Sequence, residues 1–279
     1  MYLIVGANGQ LGSELKEILK DQARYVDRDE LDITDASAVE AFIGATKPEA
    51  IVNCAAYTAV DKAESDVETA RKINVDGVAN LARSAAVHNA GLIHISTDYV
   101  FDGLNHRPYN EEDMPCPVSV YGKTKYEGEE IMRRLAQSGI IIRTAWLYSP
   151  YGNNFVKTMQ RLGRERGKLN VVFDQIGTPT FAADLAEVIV KLLPQLLKNK
   201  VETYHYSNEG VASWYDFAKE IMELSGIDCE VLPIESKDYP TAASRPFYSV
   251  LNKAKIKKDF NISINHWKES LKKCLEKLS

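Results

Sequence analysis

Tyr2-Leu3-Ile4-Val5-Gly6-Ala7-Asn8-Gly9-Gln10-Leu11-Gly12 decides the fold. Its first four residues form an apolar run that stops at glycine, as a parallel strand buried on both faces does. Glycines follow at 6, 9 and 12, and Leu11, Leu15, Ile18 and Leu19 recur at helical spacing. A strand, a glycine turn and an amphipathic helix let the backbone approach a pyrophosphate, which rests on the amides of the helix N-terminus. The spacing is GxxGxxG rather than the GxGxxG fingerprint, and a plain strand-to-helix turn also uses glycine. The flanking periods and the N-terminal position favour cofactor binding.

Outward from this turn the alternation repeats. Apolar runs predict strands at Ala23 to Val26, Ile51 to Val52, Leu92 to Ile95 and Ile140 to Ile142. Between them, Val39, Phe42 and Ile43 mark one helix, and Val67, Ala70, Ile73, Val78, Leu81 and Ala85 a longer one; Tyr121 to Leu135 is a third. The implied class is α/β, a Rossmann-like doubly wound parallel sheet. Beyond residue 150 the rhythm loosens into short strands (Leu169 to Phe173, Thr203 to Tyr206, Glu230 to Ile234) separated by loops and amphipathic helices. Tyr239 to Val250, with Pro240 and Pro246, has no helical period, and Ile264 to Leu278 reads as a basic surface helix. The expected division is a dinucleotide-binding domain over 1-150 and a smaller α+β substrate lobe over 151-279, some segments of which return to the first domain.

Composition narrows the function classes. The 279 residues are 45% hydrophobic and 26% charged, as in an ordinary globular protein. A formal charge of −5 argues against a nucleic-acid binder. Cys54, Cys116, Cys229 and Cys274 form neither a zinc spacing nor a disulfide framework, so free thiols in a reducing compartment are expected. No apolar run approaches the roughly 18 residues that a membrane span needs, and no charged segment precedes Tyr2, so neither a membrane partner nor a signal peptide is expected. The expected location is the cytoplasm.

Asp27 follows the second strand, where a carboxylate would accept the adenosine ribose hydroxyls. Arg28 beside it argues the other way, since a planar guanidinium suits the 2′-phosphate of NADP. An exposed acidic-basic turn remains open for the pair. Two YxxxK matches occur. Tyr215 and Lys219 lie among Trp214, Phe217 and Ile221, on what reads as a core face. Tyr121 and Lys125 instead open a helix one loop after the strand that ends in Ser96-Thr97. Ligands bind beyond the carboxyl ends of parallel strands, so Ser96 and Thr97 are expected in the cleft, and four residues of helix put Tyr121 and Lys125 on one face. A free phenol titrates near about 10 and carries protons reluctantly; a nearby ammonium would lower that value, and a Thr hydroxyl would orient the proton.

These residues and the segments between them resemble the extended short-chain dehydrogenase/reductase family. The matching segments are Asn53 to Glu64, Ser96 to Phe101, Val120 to Lys125, Arg143 to Tyr148, Gly152 to Phe155, Gln175 to Thr180 and Ser244 to Pro246. They span nearly the whole chain, and the later ones narrow the likeness to a branch acting on nucleotide sugars. The resemblance implies NAD(P)H-dependent reduction of the C4 keto group of dTDP-4-dehydro-L-rhamnose to dTDP-L-rhamnose, the last step of dTDP-rhamnose biosynthesis. NADPH is the expected cofactor, with NADH also accepted, and a small-molecule nucleotide sugar is the partner.

Carried over residue by residue, the resemblance makes Tyr121 the proton donor, with Thr97 tuning it. Lys125 lowers the tyrosine pKa and binds the nicotinamide ribose. Gly6, Gly9, Gln10, Leu11, Gly12, Asp27, Arg28, Asp32, Ile33, Ala55, Ala56, Tyr57, Thr58 and Ser96 are the expected cofactor contacts, together with Tyr121 and Lys125. Thr97, Asp98, Tyr99, Trp146, Asn154 and Arg245 are the expected substrate contacts. Trp146 also suits a core position, Asp32 a turn before a helix, and Arg245 a surface ion pair. Some relatives pair through magnesium held by interface glutamates. Glu14 stands at one such position but Ala183 at another, so no metal ligand is assigned and a monomer or weak homodimer is expected; magnesium remains open as a counter-ion to the sugar diphosphate. Two alternatives stand beside this reading. One is a nucleotide-sugar epimerase or dehydratase of the same fold, and the other a non-catalytic subunit resembling the regulatory subunit of methionine adenosyltransferase.

Overall fold

Alternation along each strand builds a sheet buried on both faces. In β1 (Tyr2–Val5), Ile4 enters one apolar cluster while Leu3 and Val5 enter another, because successive side chains point to opposite faces. Ile51 and Val52 in β3 (Ala50–Asn53) divide in the same way, as do Ile141 and Ile142 in β5 (Gly139–Thr144). The computed structural model describes residues 1–196 and 199–278. With β2 (Ala23–Val26), β4 (Gly91–Thr97) and β6 (Val201–His205), these strands form a six-stranded sheet in the order β2-β1-β3-β4-β5-β6. Every pairing in it is parallel. Strand order reverses between β1 and β3, which opens a crevice at their carboxyl ends.

One face is covered by α1 (Gln10–Leu19) and α5 (Ala182–Leu192), through Leu11, Leu15, Leu185 and Ile189. The other is covered by α2 (Ala36–Thr46), α3 (Gly77–Val87) and α4 (Val120–Leu135), through Val39, Ile43, Leu81 and Met132. Side chains fix where these helices begin. Asp35 accepts from the amides of Ser37 and Ala38 to start α2, and Ser119 accepts from that of Gly122 to start α4.

Three features depart from the sequence reading. The long helix through Val67 and Ala85 is interrupted: α-helix over Val67–Arg71 gives way to a π-helical turn over Lys72–Asp76 before α3, and Val67 lies off the apolar face at 40% exposed. The strand expected at Thr203 to Tyr206 is β6, and it extends the main sheet as an edge beside β5. The basic C-terminal helix, Trp267–Glu276, is not simply a surface element, because Trp267, Leu271 and Cys274 are buried along one side.

The rest of the C-terminal half packs around Tyr148, Val156, Phe217, Ile221 and Leu271. Its strands form small pairs: Lys168–Val172 with Glu230–Ile234, and Ile176–Gly177 with Ala212–Ser213, the latter leading into α6 (Trp214–Ser225). Among the described residues, no helix is long and apolar enough to cross a membrane.

Candidate active site

A cradle at the carboxyl end of β1 starts the site. Gly6 has φ +75°, and a Cβ there would stand 2.6 Å from the Ala55 amide nitrogen; one on Gly12 would stand 2.4 Å from the Gly6 carbonyl oxygen. Both positions therefore require glycine. Gly9 caps α1 without any side-chain hydrogen bond, leaving the first amides of the helix open to an anion. These residues fit a pyrophosphate. A cavity of 990 Å³ begins at this cradle and ends at Thr97, Tyr121, Lys125 and Trp146.

Gln10, Leu11, Asp27, Arg28, Asp32 and Ile33 line its outer end. The Asp27 carboxylate accepts from the amides of Asn8 and Arg28, both at 2.8 Å. The Arg28 side chain is 80% exposed, its Nε 4.0 Å from Asp32 Oδ2. Asp32 accepts from the amide and hydroxyl of Thr34, and these bonds hold its carboxyl below the usual range. It is thus a turn residue that also faces the cavity. Lys72, brought to the same edge by the π-helical turn, was not expected from sequence, since nothing in its spacing marks it. Ala55, Ala56 and Thr58 line the next stretch. Tyr57 does not line it: its amide donates to Asn74 Oδ1 at 2.9 Å and its hydroxyl to Asp66 Oδ2 at 3.1 Å, which turns the ring away.

At the inner end, β4 delivers Ser96 and Thr97, and the first turns of α4 deliver Tyr121 and Lys125. Thr97 Oγ1 donates to Asp98 Oδ1 at 3.0 Å and accepts from the Tyr99 amide. The Tyr99 ring meets that of Tyr121 edge-on, with centroids 5.5 Å apart. Lys125 is buried, and its Nζ donates to the Ile95 carbonyl at 2.6 Å. Burial pushes the ammonium down to about 8, against the pull of Glu129 and Cys54. Burial pushes the Tyr121 phenol up to about 12, against the Thr97 hydroxyl beside it. The phenol is therefore raised where a lowering by Lys125 was expected: desolvation and the Asp98 carboxylate outweigh the Thr97 hydrogen bond, and the Lys125 ammonium is turned to the Ile95 carbonyl. Asp98 is raised to about 6 by burial, and its Oδ2 has no hydrogen-bond partner among the described residues.

Glu129 was missed, although its spacing from Tyr121 and Lys125 puts it on the same side of α4. It is fully buried and accepts from Arg143 Nε at 2.9 Å, Arg143 Nη2 at 2.7 Å and Arg133 Nη2 at 3.0 Å, as well as from the Ser96 hydroxyl. Burial pushes its carboxyl up, but Arg143 and Ser96 outweigh burial and hold it below the ordinary value.

The C-terminal half supplies Trp146 and Asn154 to the lining. Asn154 caps the helix Phe155–Arg166 and donates to Gln10 Oε1 at 3.0 Å, which ties that half to the glycine turn. Trp146 has φ +49° and stacks on Trp214, with centroids 3.5 Å apart. Arg245 lies outside the lining; its two terminal nitrogens donate to Asp61 at 3.0 and 2.8 Å, the surface ion pair. Glu14 is buried, accepts from Ser149 and lies 3.5 Å from Lys277 Nζ. Among the described residues, no group of three or more His, Cys, Asp or Glu side chains is placed to hold a metal.

The whole chain, residues 1–279, matches the model of the family described as the RmlD substrate binding domain. A dTDP-4-dehydrorhamnose reductase of Aggregatibacter actinomycetemcomitans is 44% identical over 283 residues, covering 97% of this chain and 96% of its own. Among solved structures, a dTDP-4-dehydrorhamnose reductase from Clostridium acetobutylicum superposes with TM-score 0.95 at 46% identity, covering 99% of both chains. Another, from Bacillus anthracis in complex with NADP, superposes with TM-score 0.95 at 41% identity, covering 99% of this chain and 98% of its own.

Proposed function

The chain belongs to the RmlD substrate binding domain family, and from that premise we infer that it is an NADPH-dependent oxidoreductase of dTDP-rhamnose biosynthesis. It reduces the C4 keto group of dTDP-4-dehydro-L-rhamnose to give dTDP-L-rhamnose. One observation carries the residue assignment: a single cavity joins the glycine cradle to Thr97, Tyr121 and Lys125. Residues 1–150 mainly hold the dinucleotide and 151–279 the sugar nucleotide, with α5 and β6 returned to the main sheet.

When bound, the nicotinamide supplies hydride to the sugar C4. Tyr121 supplies the proton to the C4 oxygen; with its phenol near 12 it is neutral at ordinary pH, the form a donor needs. Thr97 turns its hydroxyl proton from Asp98 to the same oxygen and orients it. The Lys125 ammonium stabilises the tyrosinate left behind and binds the nicotinamide ribose. Asp98, with an oxygen left to accept, and Trp146 hold the sugar. Arg28 and Lys72 are cations at the adenosine end, where a 2′-phosphate would sit, and favour NADPH over NADH. Glu14 is engaged by Ser149 and Lys277, which suits a monomer or weak homodimer in the cytoplasm, with magnesium no more than a counter-ion to the substrate diphosphate.

The test follows absorbance of NADPH with the keto-sugar nucleotide prepared enzymatically. Stoichiometric consumption is expected. Sugar conversion with no net cofactor loss would instead make the enzyme an epimerase or dehydratase, and no conversion would leave a binding subunit.

A further inference from the structure

We propose that Trp214 is a positioning residue for the sugar nucleotide, setting the orientation in which Trp146 walls the inner cavity. The proposal rests on the reading that Trp146 meets the sugar. Among the described non-glycine residues in the left-handed region, Trp146 is the one that lines the cavity. A bulky residue holds such a conformation only where its surroundings over-determine it.

Three contacts do so. The Trp146 carbonyl accepts from the Thr180 amide at 3.1 Å. Its six-membered ring lies against Gly177, where an added Cβ would stand 2.7 Å from Cε2, so no larger residue fits beneath it. The indole also stacks on Trp214 with a centroid separation of 3.5 Å and an interplanar angle of 9°.

Trp214 itself is outside the cavity lining and is held from behind. It opens α6 directly after Ser213, whose hydroxyl accepts from the Asp216 amide while the Asp216 carboxylate accepts from the Ser213 amide. Ala212 and Ser213 pair with Gly177 and Ile176, so the floor and the stacking partner of Trp146 belong to one ribbon. Phe155 packs on Trp214 at 4.6 Å and follows Asn154, which lines the cavity. The stack therefore transmits the packing of the C-terminal half to one cavity wall.

The chain has three tryptophans, 146, 214 and 267, which makes an optical test clean. Stacked indoles couple wherever their transition dipoles are twisted, so any exciton couplet of the wild type in far-ultraviolet circular dichroism should come from this pair. Trp146→Phe and Trp214→Phe should both lose it, and Trp267→Phe should keep it. In steady-state assays, Trp214→Leu should raise KM for the sugar nucleotide about threefold to tenfold, the worth of an aromatic stack. Its kcat should stay within about twofold and its NADPH affinity, titrated directly, should not change; Trp214→Phe should restore most of the KM. The proposal is overturned by an unchanged KM in Trp214→Leu while Trp146→Ala raises it, or by a Trp214→Leu loss shared equally by NADPH binding. If Trp146→Ala leaves KM unaltered, the reading of Trp146 as a sugar contact fails instead.

Discussion

At the scale of single residues, the chemistry turns on which protonation state burial favours. Replacing Tyr121 by Phe keeps the ring and removes the proton, so turnover should fall by about 10²–10⁴ while NADPH affinity, measured by titration, stays level. Retention of half the wild-type rate would end the assignment. Lys125 gives a pH dependence of definite sign. The proposed role needs its charged form, and burial has brought its titration down to about 8, so kcat for reduction should decline on the alkaline side of pH 8. The phenol, near 12, is still protonated there and is not the cause. A profile flat to about pH 10, where a free lysine begins to titrate, would show that the charge is idle. That Thr97, Tyr121 and Lys125 meet was legible in sequence, because helical spacing and the end of a strand are local facts. The direction of the Tyr121 shift was not, since it depends on how completely the cavity wall dries the phenol.

At the scale of elements, α4 and β5 are joined by a buried charge pair, Glu129 with Arg143. Each partner is held by the other, so removing one leaves an uncompensated charge in a dry interior. Glu129→Ala should cost about 3–5 kcal/mol in urea unfolding, several times the worth of an exposed pair such as Arg161 with Glu165. A cost below about 1 kcal/mol would mean that water reaches the pair. The inner strands β1, β3 and β5 were readable as short apolar runs, because both their faces are covered. The π-helical turn at Lys72–Asp76 left no such trace. It widens one turn without altering composition, and its result, Lys72 at the cavity edge, is visible only in three dimensions.

At the scale of the whole molecule, the sheet is not complete at residue 150. β6 pairs with β5 from Val201↔Gly139 to His205↔Arg143, and α5 covers the face that Ile140 and Ile142 present. A fragment of residues 1–150 should therefore bind the apolar dye ANS and lack a sharp near-ultraviolet spectrum, behaving as a collapsed chain without fixed packing. A cooperative thermal transition in that fragment would show an autonomous first domain. Pairing across so long a separation gave the sequence no local signal, which is why a return of some segments to the first domain was expected without Thr203 to Tyr206 being singled out among them. The glycine turn carries a different consequence, for mutational tolerance. Gly6 and Gly12 are held by backbone collisions inside the fold itself, whereas a Cβ at Gly9 meets only the Gly6 carbonyl oxygen, at 3.3 Å, a gap that a slight shift relieves. A randomised library sorted only for folded, soluble protein should thus accept alanine at 9 and reject it at 6 and 12. The same library sorted for turnover should reject it at all three, because at 9 the methyl group stands where the pyrophosphate must approach.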